Sequence, residues 1–254
     1  MGNLSGHGRG GGCDWANLAC RIPSSPAISR NQRWVKPSHE TSVKSSEAKM
    51  PDSPETAARH AEKKAKVKAA RDRMMVEKTV EKGLLLVLTG PGKGKSSSAF
   101  GMILRAISHG MPCAVVQFIK GAMATGERDL LLSCFGDICQ FYTMGEGFTW
   151  ETQDLLRDKA AASAAWEKAK TLIRDPSIRM VLLDEICIAL RYEYLDVNEV
   201  VGFLRDEKPP MTHVILTGRN APPALIEIAD LVTEMAVVKH PFRSGVKAQA
   251  GIEF

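Results

Sequence analysis

The hydrophobic residues of the chain fall into two kinds of stretch. Short, nearly unbroken apolar runs occur at "GLLLVLT" (83–89), "CAVVQFI" (113–119), "ICQFYTM" (138–144), "MVLLDE" (180–185), "HVILTG" (213–218) and "LVTEMAVV" (231–238). Runs of that length read as strands buried on both faces. Between them the pattern turns helical: after a glycine-rich turn as far as about His109, then in a short segment ending near Phe135. Further helical segments run from about Asp154 to Arg174, over "DVNEVVGFL" (196–204) and over "PALIEIAD" (223–230). Strand and helix alternate. The pattern predicts one α/β domain whose central sheet has about six mostly parallel strands, covered by helices on both faces. No internal repeat is visible.

The chain ahead of Gly83 reads differently. From Glu55 to about Lys82 it is a charged helix with a thin apolar stripe: Ala58, Ala61, Ala65, Val67, Ala70 and Met74. A helix like this gains little from burial alone. It is expected either as a solvated helix or as an arm that orders against a ligand or a partner subunit. Residues 1–49, with "GHGRGGG" and "RIPSSPAIS", carry no apolar period. Such a segment cannot bury enough surface to offset its ordering entropy. It is expected as a disordered basic extension, either a targeting segment or a dispensable stretch ahead of a start at Met50. Gly6 stands where a myristoylation signal needs Ser or Thr. The expected organisation is an extension (1–49), a helical arm (50–82) and the α/β domain (83–254).

Composition chiefly removes possibilities. A chain of 254 residues suits one large α/β domain, and no apolar run approaches the ~20 residues of a membrane span. The net charge is +5, but residues 1–49 hold four Arg and three Lys against Asp14, Glu40 and Glu47. A nucleic-acid-binding protein concentrates basic charge on its folded part. Neither a membrane nor a nucleic-acid partner is expected. The six cysteines, at 13, 20, 113, 134, 139 and 187, form no CxxC pair and no zinc spacing. Most read as reduced core thiols, which fits a cytoplasmic setting.

The first chemistry lies in "TGPGKGKSSSAFG" (89–101), between a strand and a helix. It resembles the phosphate-binding P-loop, G-x-x-x-x-G-K-[ST], but only Pro91, Gly92 and Lys93 separate Gly90 from Gly94. Glycines at 90, 92 and 94 allow backbone N–H groups to turn toward an anion at a helix N-terminus. Lys95 and Lys93 would offset phosphate charge, and Ser96 would offer its hydroxyl to Mg²⁺. The strand "RMVLLDEI" ends in Asp184-Glu185, the companion carboxylates of such a site. A loop one residue short changes how phosphates thread through it, so it raises the reading that the triphosphate is held as a leaving group.

A second feature is "GEGFTWET" (145–152), where Phe148 and Trp150 stand among polar residues. Aromatics in that setting suggest a flat ligand, although a loop folded onto the core remains open on composition alone.

Taken together, "TGPGKGKSSSAFG", "VVQFIKG", "GERDLL", "GFTWET", "VLLDE", "TGRN" and the ending "VKHPFRSGVKAQAGIEF" closely resemble the P-loop corrinoid (cob(I)alamin) adenosyltransferases over roughly residues 55–254. Pro91 departs from the family's usual Asn or Lys and offers no N–H. The resemblance implies a RecA-like P-loop domain and a transferase that moves the 5′-deoxyadenosyl group of ATP to the Co(I) of a reduced corrinoid, releasing triphosphate. It implies that Gly90, Pro91, Gly92, Lys93, Gly94, Lys95, Ser96 and Ser97 cradle the triphosphate, joined by Lys120 and Arg219. Ser96 and Glu185 would bind Mg²⁺ with Asp184 close by. Phe148 and Trp150 would press on the lower face of the cobalt, so that catalysis rests on these two and Lys95. A homodimer and an electron-donating reductase such as a flavoprotein are implied as partners. Two rival classes stay open: a P-loop ATPase or kinase, and a non-catalytic ATP-binding regulator. Neither accounts for the Phe-Thr-Trp loop or for the ending.

Overall fold

The computed structural model describes residues 54–119, 125–144 and 155–252. Helix α1 (Pro54–Val76) belongs to a different compact unit from the α/β body, which runs from Lys82 onward. Glu55 in its first turn and Arg73 in its last suit the helix dipole. A Glu62–Lys66 pair at 2.7 Å adds about 0.2–0.5 kcal/mol. The helix stops at Val76, short of the expected Lys82, and the Lys78 N–H closes a turn on the Met75 carbonyl.

The body contains strands β1 (Leu85–Thr89), β2 (Cys113–Gln117), β3 (Cys139–Thr143), β4 (Met180–Asp184), β5 (His213–Thr217) and β6 (Leu231–Glu234). Its helices are α2 (Lys95–Ser108), α3 (Gly126–Phe135), α4 (Leu155–Arg174), α5 (Ile186–Arg191), α6 (Val197–Asp206) and α7 (Pro223–Ile228), with a 3-10 turn at Pro241–Ser244. The six strands form one sheet in the order β3-β2-β4-β5-β1-β6, and every neighbouring pair is parallel. All six expected runs therefore become strands.

Alternation within the apolar runs explains the two layers. Leu86, Leu88, Val115, Leu182 and Ile215 share a core with Ala99, Phe100 and Ile103 of α2. Leu85, Val87, Val116, Val181, Leu183 and Leu216 point the other way and pack with Ala165, Trp166, Ala169 and Ile173 of α4 and Phe203 of α6. Both faces are covered, so polar alternation would have been destabilising. Trp166 anchors the second core. Its ring meets Phe203 edge-on at 5.3 Å, and its indole N–H donates to Glu199 at 2.9 Å, as a buried indole requires.

The entry into β1 is tied down at several points. Gly83 donates to the Pro210 carbonyl at 2.5 Å and accepts from Lys208 Nζ at 2.9 Å. The Leu85 N–H donates to Asp230 at 2.9 Å, and Lys82 pairs with the same carboxylate. Leu84 donates to Nδ1 of His213 at 3.1 Å, so that nitrogen must be unprotonated. Burial, aided by Lys208 and Arg179, pushes the His213 pKa down and favours that form.

Two features differ from the sequence reading. The apolar run predicts a buried last strand over 231–238; only Leu231–Glu234 is strand, and it is an exposed edge. Beyond Glu234 the strand ends where Met235 meets the glycine loop: its N–H still donates to Thr89 O at the end of β1 at 2.9 Å, while its carbonyl accepts from the Gly92 N–H of the loop at 2.6 Å. The short helix α5 has no counterpart in the sequence pattern, since its six residues are mostly buried and show no amphipathic period. Cys113, Cys139 and Cys187 are buried free thiols. Desolvation pushes them up to about 12, 11 and 12 respectively, so they behave as small apolar residues. No described helix is long and apolar enough to cross a membrane.

Candidate functional site

In a parallel sheet all strands end on one side, and ligands bind there. Thr89, Gln117, Asp184 and Thr217 each occupy the last position of their strand and are all buried. The glycine loop follows Thr89. Gly90 and Gly94 take φ of 97° and 105°, a region closed to most side chains. A Cβ on Gly90 would lie 2.6 Å from the Met235 carbonyl oxygen and 2.7 Å from its nitrogen. The loop is thus pressed against the exit from β6, and that contact demands glycine.

Helix α2 begins at Lys95. The N–H groups of its first turn, those of Lys95, Ser96 and Ser97, have no preceding helical carbonyl to bond. They open onto a cavity of about 530 Å³ whose wall includes Lys93, Lys95, Ser96, Ser97, Glu185 and Arg219. Aligned N–H groups, the helix dipole and three cations make this an anion site. Across it stand Thr125, Gly126 and Glu127 at the start of α3. Lys95 is buried, with Nζ donating to the carbonyls of Gly90 at 2.9 Å and Gly92 at 2.5 Å. Desolvation holds its pKa down; Glu185 opposes this, and Arg219 and Lys93 reinforce it. An incoming polyanion relieves that crowding of positive charge.

Asp184 is fully buried at the end of β4. Its Oδ1 accepts from the Ser96 hydroxyl at 2.8 Å and from the Thr217 hydroxyl at 2.8 Å, while its Oδ2 accepts from Gln117 Nε2 at 3.0 Å. The Thr143 hydroxyl donates to Oε1 of the same Gln117 at 3.4 Å. Thr217 also holds the next residue of the chain, since its oxygen accepts the Glu185 N–H at 2.9 Å. Glu185 sits at φ 64°, ψ 17°, left-handed and costly for a residue with a side chain. That bend turns the chain sharply from β4 into α5 and leaves the Glu185 carboxylate on the cavity wall. After β5, Gly218 (φ 138°) passes so close to Cys187 that a Cβ would lie 2.7 Å from that residue's Cβ. The tight turn brings Arg219 to the cavity.

Most residues expected from the sequence converge here: Gly92, Lys93, Gly94, Lys95, Ser96, Ser97, Glu185 and Arg219 line one cavity. Asp184 stands directly behind Ser96 rather than on the wall. Gly90 and Pro91 are not among the lining residues. The Gly92 N–H, expected to turn toward an anion, is spent on Met235 because β6 runs beside β1. Lys120, Phe148 and Trp150 lie outside the described residues. Gln117 and Thr217 join the site without being expected there. Their signal is present in the sequence: a polar side chain at the last position of an otherwise apolar strand.

Among the described residues, no cluster of three or more His, Cys, Asp or Glu is arranged to hold a metal. Among the described residues of the cavity wall, the Ser96 hydroxyl and the Glu185 carboxylate are oxygen donors, beside Ser97, Thr125 and Glu127. Because Ser96 gives its proton to Asp184, its oxygen lone pairs face outward. Hard oxygen donors of this kind, few in number and beside a phosphate site, suit Mg²⁺, which keeps several waters and takes phosphate oxygens as further ligands.

Comparison with known proteins gives a consistent set of relatives. Residues 81–254 match the family model described as ATP:corrinoid adenosyltransferase BtuR/CobO/CobP. A corrinoid adenosyltransferase of a Sinorhizobium species is 72% identical over 197 residues, covering 78% of this chain and 92% of the relative. That of Pseudomonas aeruginosa is 51% identical, over 81% of this chain and all of the relative. That of Escherichia coli K12 is 43% identical, over 77% and 98% respectively.

Proposed function

The chain belongs to the ATP:corrinoid adenosyltransferase family, and on that premise we propose that it transfers the 5′-deoxyadenosyl group of ATP to the Co(I) of a reduced corrinoid in adenosylcobalamin synthesis or salvage. The lone pair on Co(I) attacks the ribose C5′. The C5′–O bond breaks, and its electron pair leaves with inorganic triphosphate. One observation carries this reading: Lys93, Lys95, Arg219 and the N-terminus of α2 surround a single anion cavity beside a shortened glycine loop. A site that must stabilise a whole triphosphate as it departs gains from cations along its full length.

Lys95 and Lys93 neutralise the charge that grows on the leaving oxygen, joined by Arg219 and by Lys120. Ser96 and Glu185 would hold Mg²⁺, which would offset triphosphate charge. Asp184 acts through Ser96 by fixing the direction of its hydroxyl, with Gln117 and Thr217 holding the carboxylate. Phe148 and Trp150 cover the lower face of the cobalt and exclude an axial ligand, which brings Co(II) within reach of reduction. The electron comes from a reductase of the flavoprotein class. Residues 50–82 serve as an arm that orders against a ligand or a partner subunit, residues 83–254 carry the chemistry, and residues 1–49 are dispensable. The working form is a homodimer in the cytoplasm.

The aromatic assignment has a direct test. Trp150→Ala should leave ATP affinity unchanged, while bound Co(II) corrinoid keeps its axial ligand in the EPR spectrum. Turnover starting from Co(II) should then fall much further than turnover from pre-reduced Co(I). Weakened ATP binding with an unaltered cobalt spectrum would assign the loop to the nucleotide instead.

A further inference from the structure

The end of the sheet opposite the anion cavity holds a second polar cluster, which the transfer chemistry does not use. It gathers where the chain enters β1. Lys208 aims its ammonium at three carbonyls: Gly83 at 2.9 Å, Thr212 at 3.0 Å and Pro209 at 3.2 Å. Lys82 pairs with Asp230, whose other oxygen accepts the Leu85 N–H at 2.9 Å. His213, the first residue of β5, receives the Leu84 N–H on Nδ1 at 3.1 Å, while its backbone N–H donates to the Arg179 carbonyl at 2.9 Å. The backbones leave no slack here, since a Cβ on Gly83 would lie 2.3 Å from the Thr212 carbonyl oxygen.

One of these contacts depends on a proton. A neutral imidazole has one bare nitrogen and one N–H. The Leu84 bond fixes Nδ1 as the bare nitrogen and so places the proton on Nε2. A second proton would set an N–H on Nδ1 against the Leu84 N–H, donor against donor, and that amide would lose its acceptor. It would also add a third cation beside Lys208 and Arg179, the charged groups that bear on the imidazole from the α6–β5 connection and from the entry to β4. Lys82 and Asp230 bear on Lys208 in turn, from the start of β1 and the start of β6. Burial and the two cations together hold the His213 pKa below the ordinary histidine range. Asp230 does not share its titration. Although burial works against it, the bonds from Lys82 and Leu85 hold that carboxyl below its own ordinary range, so it stays ionised where a histidine takes its proton.

We propose that His213 is an acid-sensitive clasp on the entry to β1: neutral, it pins Leu84 and the strand that carries the glycine loop, and protonated, it releases them. The unfolded chain takes this proton near the ordinary value of about 6.5, and the folded chain only at lower pH. The clasp therefore contributes fully above that ordinary value. Its contribution is lost as the pH falls from there toward the folded value. Within that interval the folding equilibrium constant drops by up to about tenfold per pH unit.

The decisive variant is His213→Asn, whose amide oxygen takes the place of Nδ1 as an acceptor and does not titrate. Wild-type protein and variant are compared at about pH 7.5 and about pH 5.5, by denaturant unfolding and by the hydrogen-exchange protection factor of the Leu84 amide. On acidification the wild-type folding constant should fall about three- to tenfold more than that of the variant, because every other titrating group is common to both. The Leu84 protection factor should fall in wild type and hold in the variant. An NMR titration of the wild-type imidazole, which needs no variant, should find its proton on Nε2 and its pKa below the ordinary value. Equal pH responses of the two proteins would overturn the proposal. So would a His213 pKa at or above the ordinary value, or a Leu84 amide equally protected at both pH values in wild type.

Discussion

Lys95→Ala should bind ATP ten- to a hundredfold more weakly than the parent protein. The ammonium is buried, donates to two loop carbonyls and is desolvated beside Lys93 and Arg219. Without nucleotide those carbonyls compensate it only partly. With triphosphate present it gains charge-assisted hydrogen bonds worth about 1.5–3 kcal/mol, and each ~1.4 kcal/mol is a factor of ten. Fold and thermal stability should change far less, because the variant loses two hydrogen bonds but also removes a buried charge. Titration calorimetry with Mg²⁺-ATP reads the first effect and a thermal melt the second. An affinity within twofold of wild type would mean that the polyanion does not bind at the start of α2.

Gly90→Ala should have the largest effect on stability. A side chain at φ 97° costs roughly 1–2 kcal/mol. The new Cβ would also meet the Met235 backbone at 2.6–2.7 Å, and forcing such a contact costs about 1–3 kcal/mol. Together these lower the melting temperature by roughly 5–15 °C for a domain of this size. Gly101, on the exposed side of α2 with nothing near its missing Cβ, is the control. Gly101→Ala should keep or slightly raise stability, since alanine suits a helix interior better. If Gly90→Ala melted with the parent, the close seating of the loop on the β6 exit would be wrong.

The contrast between these two glycines shows what the sequence could and could not convey. Six apolar runs gave six strands, because a sheet covered on both faces requires continuous apolar character and leaves little else to fit. The glycine loop was legible as a strand-to-helix turn rich in glycine, lysine and serine because its pattern is local. What stayed hidden was long-range. Nothing near residue 92 says that its N–H is claimed by Met235, a partner that only the pairing of β1 with β6 brings alongside. For the same reason the last strand reads too long in the sequence. Its apolar residues suggest burial, but its position at the sheet edge and its bonds to the loop decide otherwise.

The site followed the same division. Asp184 and Glu185 were visible as acids ending a strand, yet their different roles depend on Thr217, which contacts both from the neighbouring strand β5. Gln117 reaches Asp184 from β2, on the other side of β4. Side chains at strand tips become partners only once strand order is known. The ending of the chain was noticed as a likeness but had no periodic pattern to interpret. Only the fold shows that it lies beside Lys93 and Arg219.

In the proposed reaction the three phosphates leave together. Purified protein incubated anaerobically with Co(I) corrinoid, ATP and Mg²⁺ should release one inorganic triphosphate for each Co–C bond formed. Ion chromatography of the phosphates, run beside the visible spectrum of the adenosylated corrinoid, counts both. Equal amounts of the two products are expected, with no accompanying ADP. Release of ADP or pyrophosphate in step with adenosylated corrinoid would contradict it.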